Sequence, residues 1–205
     1  MKQNMRKRTP LAVLLALCLA MQLCAPAAMA SNRLMRAGDA AIAQIEEEEG
    51  FRAEKYSSGG KWYIGYGTEC GAEDYPEGIT REEAELLLMS KVEAYEAKLN
   101  DFFDRYDVTP TQGQFDALIC FSYNFGTGWM SGTSDLVKIA RGEKNATRLE
   151  VAHAFGEWCH SGGQAQAGLA DRRLQEAAIY LDDSTRAAED EFAYLIINME
   201  SGASY

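Results

Sequence analysis

Apolar positions recur at two periods along this chain, and the switch between them outlines its architecture. From Asp39 to Glu49 the spacing is helical. Ile42, Ile45 and Glu49 fall at i, i+3 and i+7, which puts the last carboxylate on the apolar stripe. Glu47 and Glu48 are expected to point away, with Glu46 at the stripe's edge. Gly50 supplies a left-handed stop. Arg52 to Gly67 changes to aromatic and β-favouring residues broken by Ser57-Ser58-Gly59-Gly60, a hairpin signature. Tyr66, between two glycines, marks a close approach of the backbone, and Cys70 to Gly78 reads as a loop rich in Gly, Pro and acidic residues. Thr80-Arg81-Glu82-Glu83 is a capping box opening a long helix to about Asp104, with Ala84, Leu87, Leu88, Val92, Tyr95 and Leu99 facing inward. Thr109-Pro110 opens the next helix, striped by Phe115, Leu118, Ile119 and Ser122 and ended by Asn124-Phe125-Gly126. Further helices are predicted over Ser134–Ala140, Ala146–Cys159 and Leu169–Leu181. The pattern predicts an α+β, predominantly helical fold: a small β-hairpin lobe followed by a larger helical lobe.

The N-terminus departs from both periods. Lys2, Arg6, Lys7 and Arg8 precede twenty uncharged residues from Leu11 to Ala30, and Ala28-Met29-Ala30 fits a small-x-small cleavage site. An export signal cleaved after Ala30 is expected, since Pro26 and the short strongly apolar run Leu11–Ala20 suit a signal better than a span. Twenty uncharged residues can also just cross a bilayer, so a retained N-terminal anchor is the alternative. Neither Cys18 nor Cys24 follows the small residue that lipid attachment wants. The expected divisions are 1–30 for the signal, 31–181 for the folded domain and 182–205 for an acidic extension. The apolar run Phe192–Met199 in that extension has no assigned role.

Charge narrows the partners. Removing the four basic residues of the signal takes the formal charge from −11 to −15. Nucleic acid is excluded as a partner, because phosphate binding needs clustered Lys and Arg. The same charge provides no long-range attraction to anionic polymers. A monomer, free of stable membrane association once the signal is cleaved, is expected. Cys70, Cys120 and Cys159 remain after cleavage; outside the cell two can pair and one is left over. Cys120, between Ile119 and Phe121, reads as a buried thiol. Cys70 and Cys159 are therefore the candidate disulfide. His153 and His160 show no metal-ligand spacing with the cysteines, so neither a metal nor a cofactor is expected.

Glu49 is the sharpest chemical candidate. A carboxyl partly buried on an apolar face holds its proton nearer working pH, which is what a general acid needs. Four consecutive glutamates would ordinarily read as a solvated helix end, but the stripe position, Gly50 and the following hairpin favour function.

Glu49-Gly50-Phe51, Tyr56-Ser57-Ser58 and Ile64-Gly65-Tyr66-Gly67-Thr68 resemble the catalytic start of phage-type lysozymes, or endolysins (glycoside hydrolase family 24), whose pattern is Glu, eight residues, Asp, five residues, Thr. Downstream, Gln114 to Ile119 with Ser122 to Gly126 resembles the family's central helix. Gly168-Leu169-Ala170-Asp171-Arg172-Arg173 resembles its Gly-Leu-x-x-Arg-Arg element, beside the catalytic hairpin. The resemblance runs from about Ala41 to Leu181. It implies a lysozyme-like fold and a muramidase that cleaves the β-1,4 bond between N-acetylmuramic acid and N-acetylglucosamine in peptidoglycan. Some phage lysozymes also carry a releasable N-terminal anchor.

The chain departs from that pattern at the second carboxylate. Ser58 stands where the family has Asp, and Tyr63 falls at the Thr position if the hairpin is one residue shorter. Serine can hydrogen-bond a water but cannot take its proton. Glu54 and Glu69 lie close enough in sequence to stand in, though neither has the family spacing and a solvated surface position is expected for both. Glu49, Ser58 and Tyr63 are thus the candidate catalytic residues. Tyr123, Asn124 and Thr68, the last standing where many relatives carry His, are the candidate substrate contacts. Tyr56 and Arg172 are expected to support the cleft, with Arg172 contacting the acid near Glu49, and Arg173 to be an ordinary surface arginine. Asp171 can cap the arginine helix. Among Trp62, Trp129 and Trp158, all conceivable sugar platforms, Trp158 is assigned to the core. The rival function is a lysozyme scaffold that binds wall glycan or a protein partner without turnover.

Overall fold

The computed structural model describes residues 34–182. The predicted signal, the anchor alternative and the run Phe192–Met199 lie outside the described residues. The chain before the first helix is tied down by buried polar side chains. Met35 N donates to Asn100 Oδ1 (2.8 Å), Ala37 N to Glu96 Oε1 (2.7 Å) and Gly38 N to Asp116 Oδ1 (2.8 Å). These bonds explain why Glu96, Asn100 and Asp116 tolerate burial, and they aim helix α1 (Asp39–Glu49) into the protein.

An antiparallel meander follows, in order β1 (Arg52–Ser58), β2 (Lys61–Gly65) and β3 (Thr68–Cys70). Ser58 pairs with Lys61 across Gly59 and Gly60, whose φ of +57° and +80° suit a tight two-residue turn. The expected hairpin is therefore three-stranded, because Cys70, assigned to a loop, pairs with Trp62 instead.

Helix α2 (Arg81–Arg105) opens on the capping box of Thr80 and Glu83, as the sequence predicts. Of its predicted stripe, Ala84, Leu88, Val92 and Leu99 are buried, whereas Leu87 and Tyr95 are half-buried at its edges. Helix α3 (Gln112–Phe125) starts two residues later than Thr109-Pro110 suggests, because Thr111 and Gln114 form its capping box. Every residue from Phe115 to Tyr123 is buried, so α3 is the central strut rather than a one-sided helix. A short 3-10 turn (Gly128–Ser131), α4 (Asp135–Ala140) and α5 (Arg148–Gly156) enclose it. A two-strand ribbon, β4 (His160–Ser161) and β5 (Gln164–Ala165), leads to α6 (Ala167–Tyr180), which packs against α3 and α5.

Phe121 organises the core around α3. Its ring stacks on Phe125 (5.3 Å) and meets Trp129, Phe155 and Trp158 edge-on at 5.7, 5.8 and 5.4 Å. Trp129 is buried, its Nε1 donating to Ser122 Oγ (3.0 Å), and half-buried Trp158 packs on this cluster. Trp62 is the exposed tryptophan.

Candidate active site

Ala41 and Ile45, fully buried, fix the rotation of α1 and so deliver Glu49 at its last position. Gly50, at φ +64°, ends the helix and sends the chain into β1. Phe51 then packs on Tyr66 (5.9 Å). Arg81 spans the two, its guanidinium 4.7 Å from the Phe51 ring centre while Nη1 donates to Tyr66 Oη (2.7 Å). These contacts fold the Tyr66–Thr68 turn back over the helix end. A Cβ on Gly67 would crowd Glu49 Oε2 at 3.1 Å, and φ there is +75°, so glycine suits this turn over the acid. The Glu49 side chain keeps 21% of its surface exposed, and its Oε1 accepts from Arg172 Nη1 at 2.9 Å. Glu48, expected to face away, is half-buried instead. Gln44 Nε2 donates to it (3.1 Å) and also to Gln175 on α6, and burial pushes the Glu48 carboxyl upward against the pull of Arg172.

Behind Arg172 lies a buried charge cluster. Arg173 is wholly buried, which corrects its expected surface position. The cause is the packing of α6 on α3, which turns this face inward onto Phe121 and Phe125. The Arg173 guanidinium lies 4.7 and 4.9 Å from the ring centres of Phe121 and Phe125, and its Nη2 donates to Glu176 Oε1 (2.7 Å) and Asn124 Oδ1 (3.3 Å). Arg172 Nε stands 3.5 Å from the same Glu176 oxygen. Burial pushes the Glu176 carboxyl up to about 8 and the Arg173 guanidinium downward, while their mutual attraction opposes both shifts. Asp171 does not cap the helix; its Oδ2 accepts from Gln175 Nε2 (3.0 Å).

Lys91 on α2 is the residue that sequence reasoning missed. Its Nζ lies 3.4 Å from Gly67 O and 3.8 Å from the centre of the Tyr123 ring, while Tyr123 Oη donates to Tyr66 O (2.7 Å). Two successive carbonyls of the turn over Glu49 are thus held by one tyrosine and one lysine. Burial lowers the Lys91 pKa below the usual lysine range, Glu49 opposing and Arg172 adding to the shift. A signal was present: Lys91 falls at i+3 from Leu88 and i−4 from Tyr95, on the inward stripe where a lysine is out of place. Tyr123, expected to meet substrate, is buried, and burial first and Glu49 second raise its phenol far above the ordinary range. The Thr68 hydroxyl is also buried, beside that phenol but without a well-formed hydrogen bond. Both residues support the turn from inside. Asn124 is exposed, its Oδ1 occupied by Arg173.

On the sheet, Tyr56 pairs with Tyr63, their rings stacked at 5.7 Å, and the Arg52 guanidinium caps Tyr56 at 4.3 Å. Burial first raises the Tyr56 phenol; Arg52 opposes that rise and Glu49 adds to it, which places Tyr56 within the field of the acid. Ser58 shares this face of β1, exposed at the hairpin tip. Tyr56 and Tyr63 together form an aromatic wall on this face of the sheet. The candidate disulfide is not formed: Cys70, Cys120 and Cys159 are all free. Cys70 sits on β3 near Asp74 and Lys55. Cys159 is fully buried, its Sγ 3.6 Å from His160 Nδ1 and close to Arg173, so the two thiols belong to different surroundings. Among the described residues no group of three or more His, Cys, Asp or Glu is arranged to hold a metal ion, and no helix is long and apolar enough to cross a membrane.

Comparison with known proteins places this geometry. The phage lysozyme family profile matches residues 46–176. An endolysin of Bacillus phage B103 is 33% identical over 165 residues, covering 77% of this chain and 58% of the relative, so the chain spans little more than half of that protein's length. An endolysin from the Escherichia coli O157:H7 phage FAHEc1 superposes with a TM-score of 0.61 at 32% identity, covering 72% of this chain and 94% of its own. The muramidase domain of SpmX from Asticaccaulis excentricus superposes at 0.58 with 28% identity, covering 71% and 97%. The α+β fold, a small antiparallel sheet beside a larger helical body, is lysozyme-like.

Proposed function

Because the chain belongs to the phage lysozyme family, we propose that it is an exported peptidoglycan muramidase that hydrolyses the β-1,4 bond between N-acetylmuramic acid and N-acetylglucosamine. The observation that carries this reading is the Glu49 carboxyl, part-exposed at the end of α1, gripped by Arg172 at 2.9 Å and overlaid by the Gly67 turn. A proton donor held in one orientation, with one side open, suits attack on a glycosidic oxygen. Glu49 donates its proton to the leaving oxygen. Ser58 and Tyr63 position the water, and Tyr56 walls the sugar. Arg172 keeps the acid in place.

One observation favours a second reading. The hairpin tip carries a hydroxyl where this mechanism wants a carboxylate, so the scaffold has a route to binding wall glycan, or a protein partner, without turnover. Release of reducing ends from purified wall, with Glu49→Gln as control, separates the two. Release that depends on Glu49 supports the muramidase; retention on wall glycan with no release supports the binding module.

A further inference from the structure

The hydroxyl at Ser58 leaves the attacking water without a base, and the Glu69 carboxylate stands on the same face of the sheet. Resting on the muramidase reading above, we propose that Glu69 on β3 is the general base that takes the proton of the hydrolytic water. A Cβ at Gly67 would point at Glu49, 3.1 Å from Oε2. Side chains alternate along β3, so Glu69 faces the side opposite to Thr68. The Thr68 hydroxyl is buried beside the Tyr123 phenol.

Strand register leads to the same face independently. Glu69 pairs with Tyr63, and Tyr63 with Tyr56, which stands in the field of Glu49. Lys61 holds Glu69 on this face through a 2.8 Å ion pair, and Ser58 is the cross-strand partner of Lys61. Ser58 and Glu69 therefore border one patch, the first able to orient a water and the second to deprotonate it. The Glu69 side chain is 56% exposed, open to the solvent that supplies the water.

The step balances. The water oxygen forms a bond to the anomeric carbon while Glu69 takes one of the water's protons. The glycosidic carbon–oxygen bond breaks, its electron pair passing to the leaving oxygen, which receives the proton of Glu49. Glu69 ends protonated and Glu49 ionised, and exchange with solvent resets both. Attack from the face opposite the leaving group inverts the anomeric configuration.

The test compares the full chain with Glu69→Gln, Glu69→Ala and Glu54→Gln on purified peptidoglycan. Both Glu69 variants should lose about 10²–10⁴-fold in kcat, with KM and melting temperature little changed. Azide, a small nucleophile needing no base, should restore turnover to Glu69→Ala and yield an inverted glycosyl azide. A merely structural role for Glu69 would not produce that rescue. Parent-like turnover by Glu69→Gln, loss confined to Glu54→Gln, or failure of azide to rescue Glu69→Ala overturns this assignment and leaves the muramidase reading standing. No turnover by the parent overturns both.

Discussion

The two sides of the Glu49 site are built on opposite principles. On the α6 side, Arg172, Arg173 and Glu176 are almost wholly removed from solvent and share one carboxylate oxygen, with phenylalanine rings under the guanidinium of Arg173. On the sheet side, Ser58, Lys61 and Glu69 are solvated, and their one ion pair spans neighbouring strands. A buried charge cluster resists change piece by piece, because removing one member strands the others without water. An exposed strand face carries no such penalty, so residues there exchange at little cost to stability. Ser58, where the sequence reads as departing from the family pattern, lies on the side where exchange costs least.

The sharpest way to break this comparison is to attack the acid between the two sides. Glu49→Gln should lower wall turnover by about 10²–10⁴-fold and leave the circular dichroism spectrum unchanged. Wild-type turnover in that variant removes Glu49 from the mechanism.

Next comes the buried side. Glu176→Ala leaves Arg173 in the core without its carboxylate, and loss of one partner from a buried pair costs about 3–5 kcal/mol. Denaturant unfolding should show that loss. Lys61→Met, on the open side, should stay within about 0.5 kcal/mol of the parent. Equal losses in the two variants would erase the contrast.

Smaller in free energy is a gain of function on the open side. Ser58→Asp returns a carboxylate to the hairpin tip, and combined with Tyr63→Thr, which removes bulk from the water site, it should exceed either change alone. If Glu69 is the present base, Ser58→Asp should matter most in the Glu69→Gln background, recovering on the order of tenfold or more. The gain should fade in acid as an ordinary Asp protonates near about 3.9. Rates of wall clearance for these variants rank the effects.

The smallest effect concerns Lys91, between the two sides. Burial lowers its pKa, so the unfolded chain binds more protons there than the native protein over the window from its lowered value up to 10.5, and stability from this group rises with pH across that window. Lys91→Met carries no such term. It should melt higher than the parent at neutral pH, and the gap should close as pH approaches 10.5. The raised phenols of Tyr95 and Tyr56 destabilise both proteins alike in alkali and cancel in the comparison, whereas Tyr123, 3.8 Å from Lys91 Nζ, does not and sets the alkaline limit of the comparison. A gap independent of pH would mean that Lys91 bears no burial cost.

Local rules made much of this protein legible from the chain alone. The period of α1 and the glycine after it placed Glu49 at a helix end on the apolar side. The capping residues Thr80 and Glu83 located α2, and Gly59-Gly60 located the hairpin. Each depends on residues within one or two turns of each other, where backbone geometry and side-chain preference decide alone. Three-dimensional packing decided the rest. Arg173 reads as a surface residue until α6 lies against α3, and Tyr123 reads as a cleft residue until its hydroxyl meets Tyr66 O across 57 positions of sequence. Lys91 takes its role only from the turn folded over it, and Cys70 and Cys159 pair in the reading of the sequence but not in the structure. Whether a charge is solvated or buried depends on which distant face covers it. That is a property of the packed whole, with no counterpart in the spacing of neighbouring residues.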